Sequence, residues 1–207
     1  MSESAYLIDP ISKEYDLRER LVDLDQLYSI LGVHNPEVGL DMAEALTKLQ
    51  RDGPNKVTPP INLPSWMCCL LPCVKAIPKM QEYDKMVPKT ARVIRSGRVM
   101  IVDAADLVVG DIICLKPDTI VPADCRLIEC KSHLQIDRSY FFSEYPVMEC
   151  YCLLSQPSSA THLFYQSDIC FMASRVISGE AKAIVIRTGD RTFWGYTCQY
   201  KRRDSFI

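Results

Sequence analysis

The sequence predicts a mainly β fold with helices, of α+β class: a sandwich or distorted jelly roll carrying two short N-terminal helices. Three observations predict it. From Ala91 onward, short runs rich in Val and Ile are punctuated by Gly, Pro and Asp turns. Before them, two stretches place apolar residues at helical spacing and stop at glycine. The composition, 48% hydrophobic and 24% charged over 207 residues, suits a folded chain with room for one sizeable domain.

Residues 1–20 are charged without a clear period and are expected to be mobile. A helix is predicted over Asp23 to Leu31, where Leu24, Leu27, Ile30 and Leu31 share a face and Gly32 follows. A second is predicted from Leu40 to Arg51, with Met42, Ala45, Leu46 and Leu49 as its apolar stripe and Glu44 and Lys48 as an exposed i,i+4 pair. Asp52-Gly53-Pro54 stops it. Strands are predicted at Ala91–Arg95 and Arg98–Val102 around a Ser96-Gly97 turn, at Leu134–Asp137, and at Ile169–Ala173 and Ala181–Arg187, the last two joined through Ser178-Gly179-Glu180. A closing helix follows Thr188-Gly189-Asp190-Arg191-Thr192. The stretch from Val109 to Asp124 reads locally as a β hairpin: strand Ile112–Leu115, turns at Lys116-Pro117-Asp118 and Pro122-Ala123-Asp124, strand Arg126–Glu129.

The order of parts carries more than the local pattern. Val109-Gly110-Asp111-Ile112-Ile113, a turn, and Val121-Pro122-Ala123-Asp124-Cys125-Arg126 resemble the signature of the actuator domain of P-type cation-transporting ATPases. The run Leu49-Gln50-Arg51-Asp52-Gly53-Pro54-Asn55, then Thr58-Pro59-Pro60, is similar to the segment before the first membrane helix of sodium/potassium (or hydrogen/potassium) pump α subunits. Met86-Val87-Pro88 is similar to their stalk, and Gly179 to Thr192 to the end of their actuator. The resemblance implies an actuator-type jelly roll covering about residues 22–66 and 86–196. The expected organisation is an N-terminal helical segment at 21–60, a shortened linker at 61–85 in place of the first membrane hairpin, the actuator at 86–200 and a tail at 201–207.

In the pumps, a Thr-Gly-Glu-Ser loop of the actuator enters the site of an aspartyl phosphate, and its carboxylate activates the hydrolytic water. The resemblance places Glu144 on that glutamate. Around it the threonine has become Phe142, the glycine Ser143 and the serine Tyr145, and the loop is expected to be disabled, because glycine allows the close approach that side chains block. In the preceding loop a Gly-Gly has become Pro117-Asp118 and an Asp-Arg has become Thr119-Ile120. The Asp-Lys-Thr-Gly-Thr phosphorylation sequence does not occur in these residues; Asp84-Lys85-Met86 shares two letters with it.

Other signals exclude classes. A net charge of −2 gives no reason to expect a nucleic-acid partner, and Lys201-Arg202-Arg203 is too short to be one. Three scattered histidines and ten cysteines without paired CxxC motifs give no metal site, and no cofactor is expected. The run Trp66 to Ile77 falls short of the ~20 apolar residues that span a bilayer. Its Cys68, Cys69 and Cys73, beside Lys75 and Lys79, are either incidental or acceptors for reversible acylation at a membrane surface. A cytoplasmic chain, peripheral to a membrane if acylated, is the expectation. Three functions fit: a regulatory or decoy module for a cation pump, an actuator acting in trans through Glu144, or a remnant of a pump gene without activity.

Overall fold

The computed structural model describes residues 15, 17–59, 83–142, 146–152 and 167–204, the side chains of Arg20 and 201–204 excepted. Helix α1 (Leu24–Leu31) begins where its cap requires: the Asp23 carboxylate accepts from the Gln26 amide at 2.7 Å, and left-handed Gly32 ends the helix. Helix α2 (Met42–Asp52) opens with a reciprocal capping box between Asp41 and Glu44.

The buried face of α2 differs from the predicted stripe. Ala45 is buried and Leu49 packs against the core, but Met42 and Leu46 are 50% and 55% exposed. Lys48 is the cause. Its ammonium donates to the carbonyls of Leu31 at 2.7 Å and Val109 at 3.1 Å, which turns that side of the helix inward. Glu44 serves the cap instead of an ion pair with Lys48.

Among the described residues nine strands follow: β1 (Thr90–Arg95), β2 (Arg98–Asp103), β3 (Ile112–Leu115), β4 (Asp124–Cys130), β5 (Leu134–Asp137), β6 (Val147–Cys150), β7 (Ile169–Cys170), β8 (Arg175–Ser178) and β9 (Ala181–Arg187); helix α3 (Phe193–Asp204) closes the described chain. β1 and β2 form the expected hairpin, with Ser96 and Gly97 both at positive φ as a type I′ turn demands. One sheet has the order β2-β1-β3-β9-β4-β7 and a second the order β6-β5-β8.

The Val109–Asp124 stretch is therefore not the base of a local hairpin. β9 lies between β3 and β4 and pairs antiparallel with both. Ala183, Ile184, Val185 and Ile186 are all buried, so β9 needs neighbours on both edges and cover on both faces. Likewise Ile169 and Cys170 alone form a strand, because Met172 and Ala173 turn the chain. β8 then crosses to the small sheet before β9 returns to the large one.

Alternate residues divide the core in two. Val93, Ile113, Ala183 and Val185 face Leu134, Ile136 and Val176 of the small sheet. Ile94, Ile112, Ile184 and Ile186 pack under the helices and an aromatic group. The packed region also starts before the boundary after residue 20 that composition suggested. Tyr15 and Leu17 are buried, and Arg18–Arg20 forms a 3-10 turn.

Gly110 shows why its place excludes a side chain. Its φ is +98°, and a Cβ there would lie 2.9 Å from the Lys48 ammonium and 3.0 Å from the Leu31 carbonyl. The glycine makes room for the contact that docks α2.

Candidate functional site

The loop joining β5 to β6 emerges beside two other turns. In one row across the small sheet, Ile120 bridges to Arg175, Arg175 pairs with Asp137, and Asp137 pairs with Val147. The Lys116–Ile120 turn and the turn before β8 thus flank the base of the loop. Asp118 stands at φ +61°, a conformation that Asp tolerates better than most residues, and its amide donates to Val176 at 2.9 Å.

The base of the loop is closed by backbone chemistry. Asp137 accepts from the Ser139 amide at 2.8 Å, and the Arg138 carbonyl accepts from Phe141 and Phe142. The Arg138 amide donates to Pro146 at 2.6 Å, so both ends of the loop are held together. Phe141 and Phe142 point inward. Phe142, 6% exposed, stacks on Phe193 at 5.8 Å and touches Phe171 at 6.2 Å. The Arg138 guanidinium lies 4.8 Å over the Phe142 ring, and burial lowers its affinity for its proton.

Of the site residues expected from the sequence, Phe142 is therefore a core residue at the base of the loop. Ser143, Glu144 and Tyr145 lie outside the described residues, as do Cys68, Cys69 and Cys73. Among the described residues no helix is long and apolar enough to cross a membrane.

The remaining motif residues are pins between distant segments. Asn55 donates to the carbonyls of Ala104 and Pro122 and accepts from the Gly189 amide, each within 2.9 Å. Thr58 binds the Asp190 carboxylate through its amide and its hydroxyl, both at 2.6 Å. Arg95 holds Asp111 through two bonds of 2.8 and 2.6 Å, and Asp111 also caps the Val108 amide. Gly-Pro-Asn, Pro-Ala-Asp and Thr-Gly-Asp therefore meet at one junction beside Thr58, while Val-Gly-Asp is held separately by Arg95. Their residue types gave no job by themselves; only tertiary structure brings their partners together.

A family model described as "P-type ATPase actuator domain" matches residues 85–200, more than half the chain and all the strands described above. The chain belongs to the P-type ATPase actuator-domain family. Two sodium/potassium-transporting ATPase α subunits are similar to it, from Drosophila melanogaster at 26% identity and from Hydra vulgaris at 25%. Each match covers 91% of this chain and 23% of the relative, so the actuator chain spans about a quarter of the length of these relatives. Each also runs over 249 residues, more than the 207 of this chain, so within the match the relatives carry residues that this actuator chain lacks. The Tyr83 hydroxyl donates to the Val57 carbonyl and its ring stacks on Trp194, which ties the segment before β1 to the N-terminal part and to α3.

Proposed function

We propose that this chain is a non-catalytic actuator module that modulates a cation pump of the sodium/potassium type, by engaging its phosphorylation domain or stalk in competition with the pump's own actuator. The scaffold that presents an actuator loop is intact: pinned motif junction, two packed sheets and a closed loop base. The observation that carries the non-catalytic part is Phe142. At the position that the resemblance gives to the family's threonine, a ring is drawn into the aromatic core next to Phe171 and Phe193. A threonine hydroxyl can serve at a phosphate; a buried phenyl ring cannot. Ser143 in place of glycine removes the close backbone approach as well. A linker at 61–85 as short as the resemblance implies would fit a module that meets its pump without the first membrane hairpin.

The second reading, dephosphorylation in trans through Glu144, is favoured by the same closed loop base, which holds the residues two positions before Glu144 in fixed geometry. The test is a pull-down of the whole chain with the soluble phosphorylation and nucleotide-binding portion of such a pump, with and without a phosphate mimic. Saturable binding indifferent to the mimic supports the module. Binding that strengthens with the mimic moves the reading to Glu144, and no binding at high micromolar concentration removes the headpiece as partner.

A further inference from the structure

The β1–β3 ladder is only two pairs long, Val93 with Ile113 and Ile94 with Ile112. Beyond it the strands splay, and Thr90–Arg92 separates from Cys114–Lys116. The facing strand edges are unpaired there, so backbone groups that would have continued the ladder line a cleft of about 130 Å³. Through Thr90, Thr119 and Ile120 this cleft joins a wider groove of about 510 Å³ against the segment 84–89. Together they reach the size of small-molecule sites.

The lining is cationic. Arg92 and Lys116 stand in the cleft, and Lys85 and Lys89 at its mouth, against two carboxylates, Asp84 and Asp118. None of Lys85, Lys89 and Arg92 forms an ion pair with another described residue. Lys116 meets Glu180 at 3.3 Å with both groups well exposed, a pair that an incoming anion displaces at little cost. Burial raises the Cys114 thiol in the cleft, and Lys182, Arg92, Lys131 and Lys116 pull against it. The Thr90 hydroxyl adds a donor, while the Thr119 hydroxyl already donates to the Lys116 carbonyl at 2.6 Å and fixes that turn.

We infer that this cleft binds a phosphate group carried by a small anion, held by Arg92 and Lys116 inside and Lys89 at the rim. Arg92 supplies the planar fork that suits phosphate oxygens, and the lysines supply charge. The carboxylates of Asp84 and Asp118 at the mouth repel an extended polyanion, so the ligand is one headgroup-sized phosphate ester rather than a nucleic acid. The phosphate comes either from a soluble metabolite or from the headgroup of an inositol phospholipid; both present the same chemistry to the cleft. The proposal is independent of any contact with a pump.

The test uses the whole chain, with soluble inositol trisphosphate in titration calorimetry and phosphatidylcholine vesicles with and without phosphatidylinositol bisphosphate in co-sedimentation. Saturable binding of one or both probes is expected, weakened about tenfold in a Lys89→Glu/Arg92→Glu variant and unchanged in a charge-matched Arg51→Glu/Arg98→Glu control. All four side chains are exposed, so both variants are expected to fold, and circular dichroism checks that. Binding of the soluble ester alone identifies a metabolite, and much stronger vesicle binding identifies a lipid. Equal weakening in both variants would mean diffuse attraction rather than a site. That result, or no binding at millimolar ester and at saturating vesicles, overturns the proposal.

Discussion

The Tyr15 hydroxyl donates to the Asp124 carboxylate at 2.6 Å, joining residues 109 positions apart inside the domain. Asp124 also accepts from the amides of Met172 and Phe193, both at 2.7 Å, and so caps helix α3 from strand β4. Burial pushes its carboxyl up to about 6, against the pull of Tyr15 and the two amides. The folded-state value exceeds the unfolded one, so the protonated acid favours the fold. The contribution is present below pH ~4 and is lost as pH rises from about 4 to about 6, by about 3 kcal/mol for two units. Urea midpoints measured across that range are expected to carry this slope in the native chain and to lose it in Asp124→Asn. An identical slope in both would place the titrating group elsewhere.

Asn55 holds three segments at once: the turn at Ala104, the Pro122 carbonyl before β4 and the Gly189 amide after β9. Asn55→Ala leaves two carbonyls and one amide in the interior without this partner. With about 1 kcal/mol for each lost bond and more for each group left unsatisfied, a loss of about 3 kcal/mol is expected. Asn55→Asp keeps the acceptor for Gly189 but sets a buried carboxylate oxygen against the Ala104 and Pro122 carbonyls, and should cost at least as much. Chemical denaturation monitored by Trp fluorescence reads both, since Trp194 is buried close by in α3.

Replacing Gly110 tests how α2 is docked. Ala at φ +98° is strained, and its methyl would displace the Lys48 ammonium from the Leu31 and Val109 carbonyls. Gly110→Ala should destabilise by about 2–3 kcal/mol. Lys48→Met, which removes the ammonium but keeps the stem, should make a later Gly110→Ala cheaper. Additive losses in the double-mutant cycle would show that the two residues act separately.

Much of the local structure was legible. Asp23 and Gly32 bracket α1 and Ser96-Gly97 folds the first hairpin, because caps and tight turns are decided within four residues. Strand neighbours were not legible. Nothing near Val109–Asp124 says that Ala181–Arg187 will lie between its two strands, since that pairing depends on residues about 60 positions away. β6 and β8 escaped because Val147–Cys150 and Arg175–Ser178 are short and carry exposed residues, Val147 and Ile177 among them. At the candidate site, the place of Phe142 in the loop after β5 was legible. Its direction was not, because a phenyl ring suits a loop surface and an aromatic core alike until Phe171 and Phe193 are seen to receive it.

Phe142 also gives the sharpest functional prediction. Phe142→Thr removes a ring packed on Phe193 and Phe171 and should cost about 3 kcal/mol in stability, through the cavity and the buried hydroxyl. By itself it should restore no chemistry, because Ser143 and Tyr145 still flank Glu144. The combined Phe142→Thr, Ser143→Gly and Tyr145→Ser variant rebuilds the family's loop on the same closed base. Phosphate release from the phosphorylated headpiece of a sodium/potassium-type pump should be unaffected by the native chain and by Glu144→Gln. The rebuilt loop should accelerate it, and adding Glu144→Gln to the rebuilt loop should remove the gain. Acceleration by the native chain, lost in Glu144→Gln, would instead establish that the glutamate still works despite its neighbours, and the non-catalytic reading would fall with it.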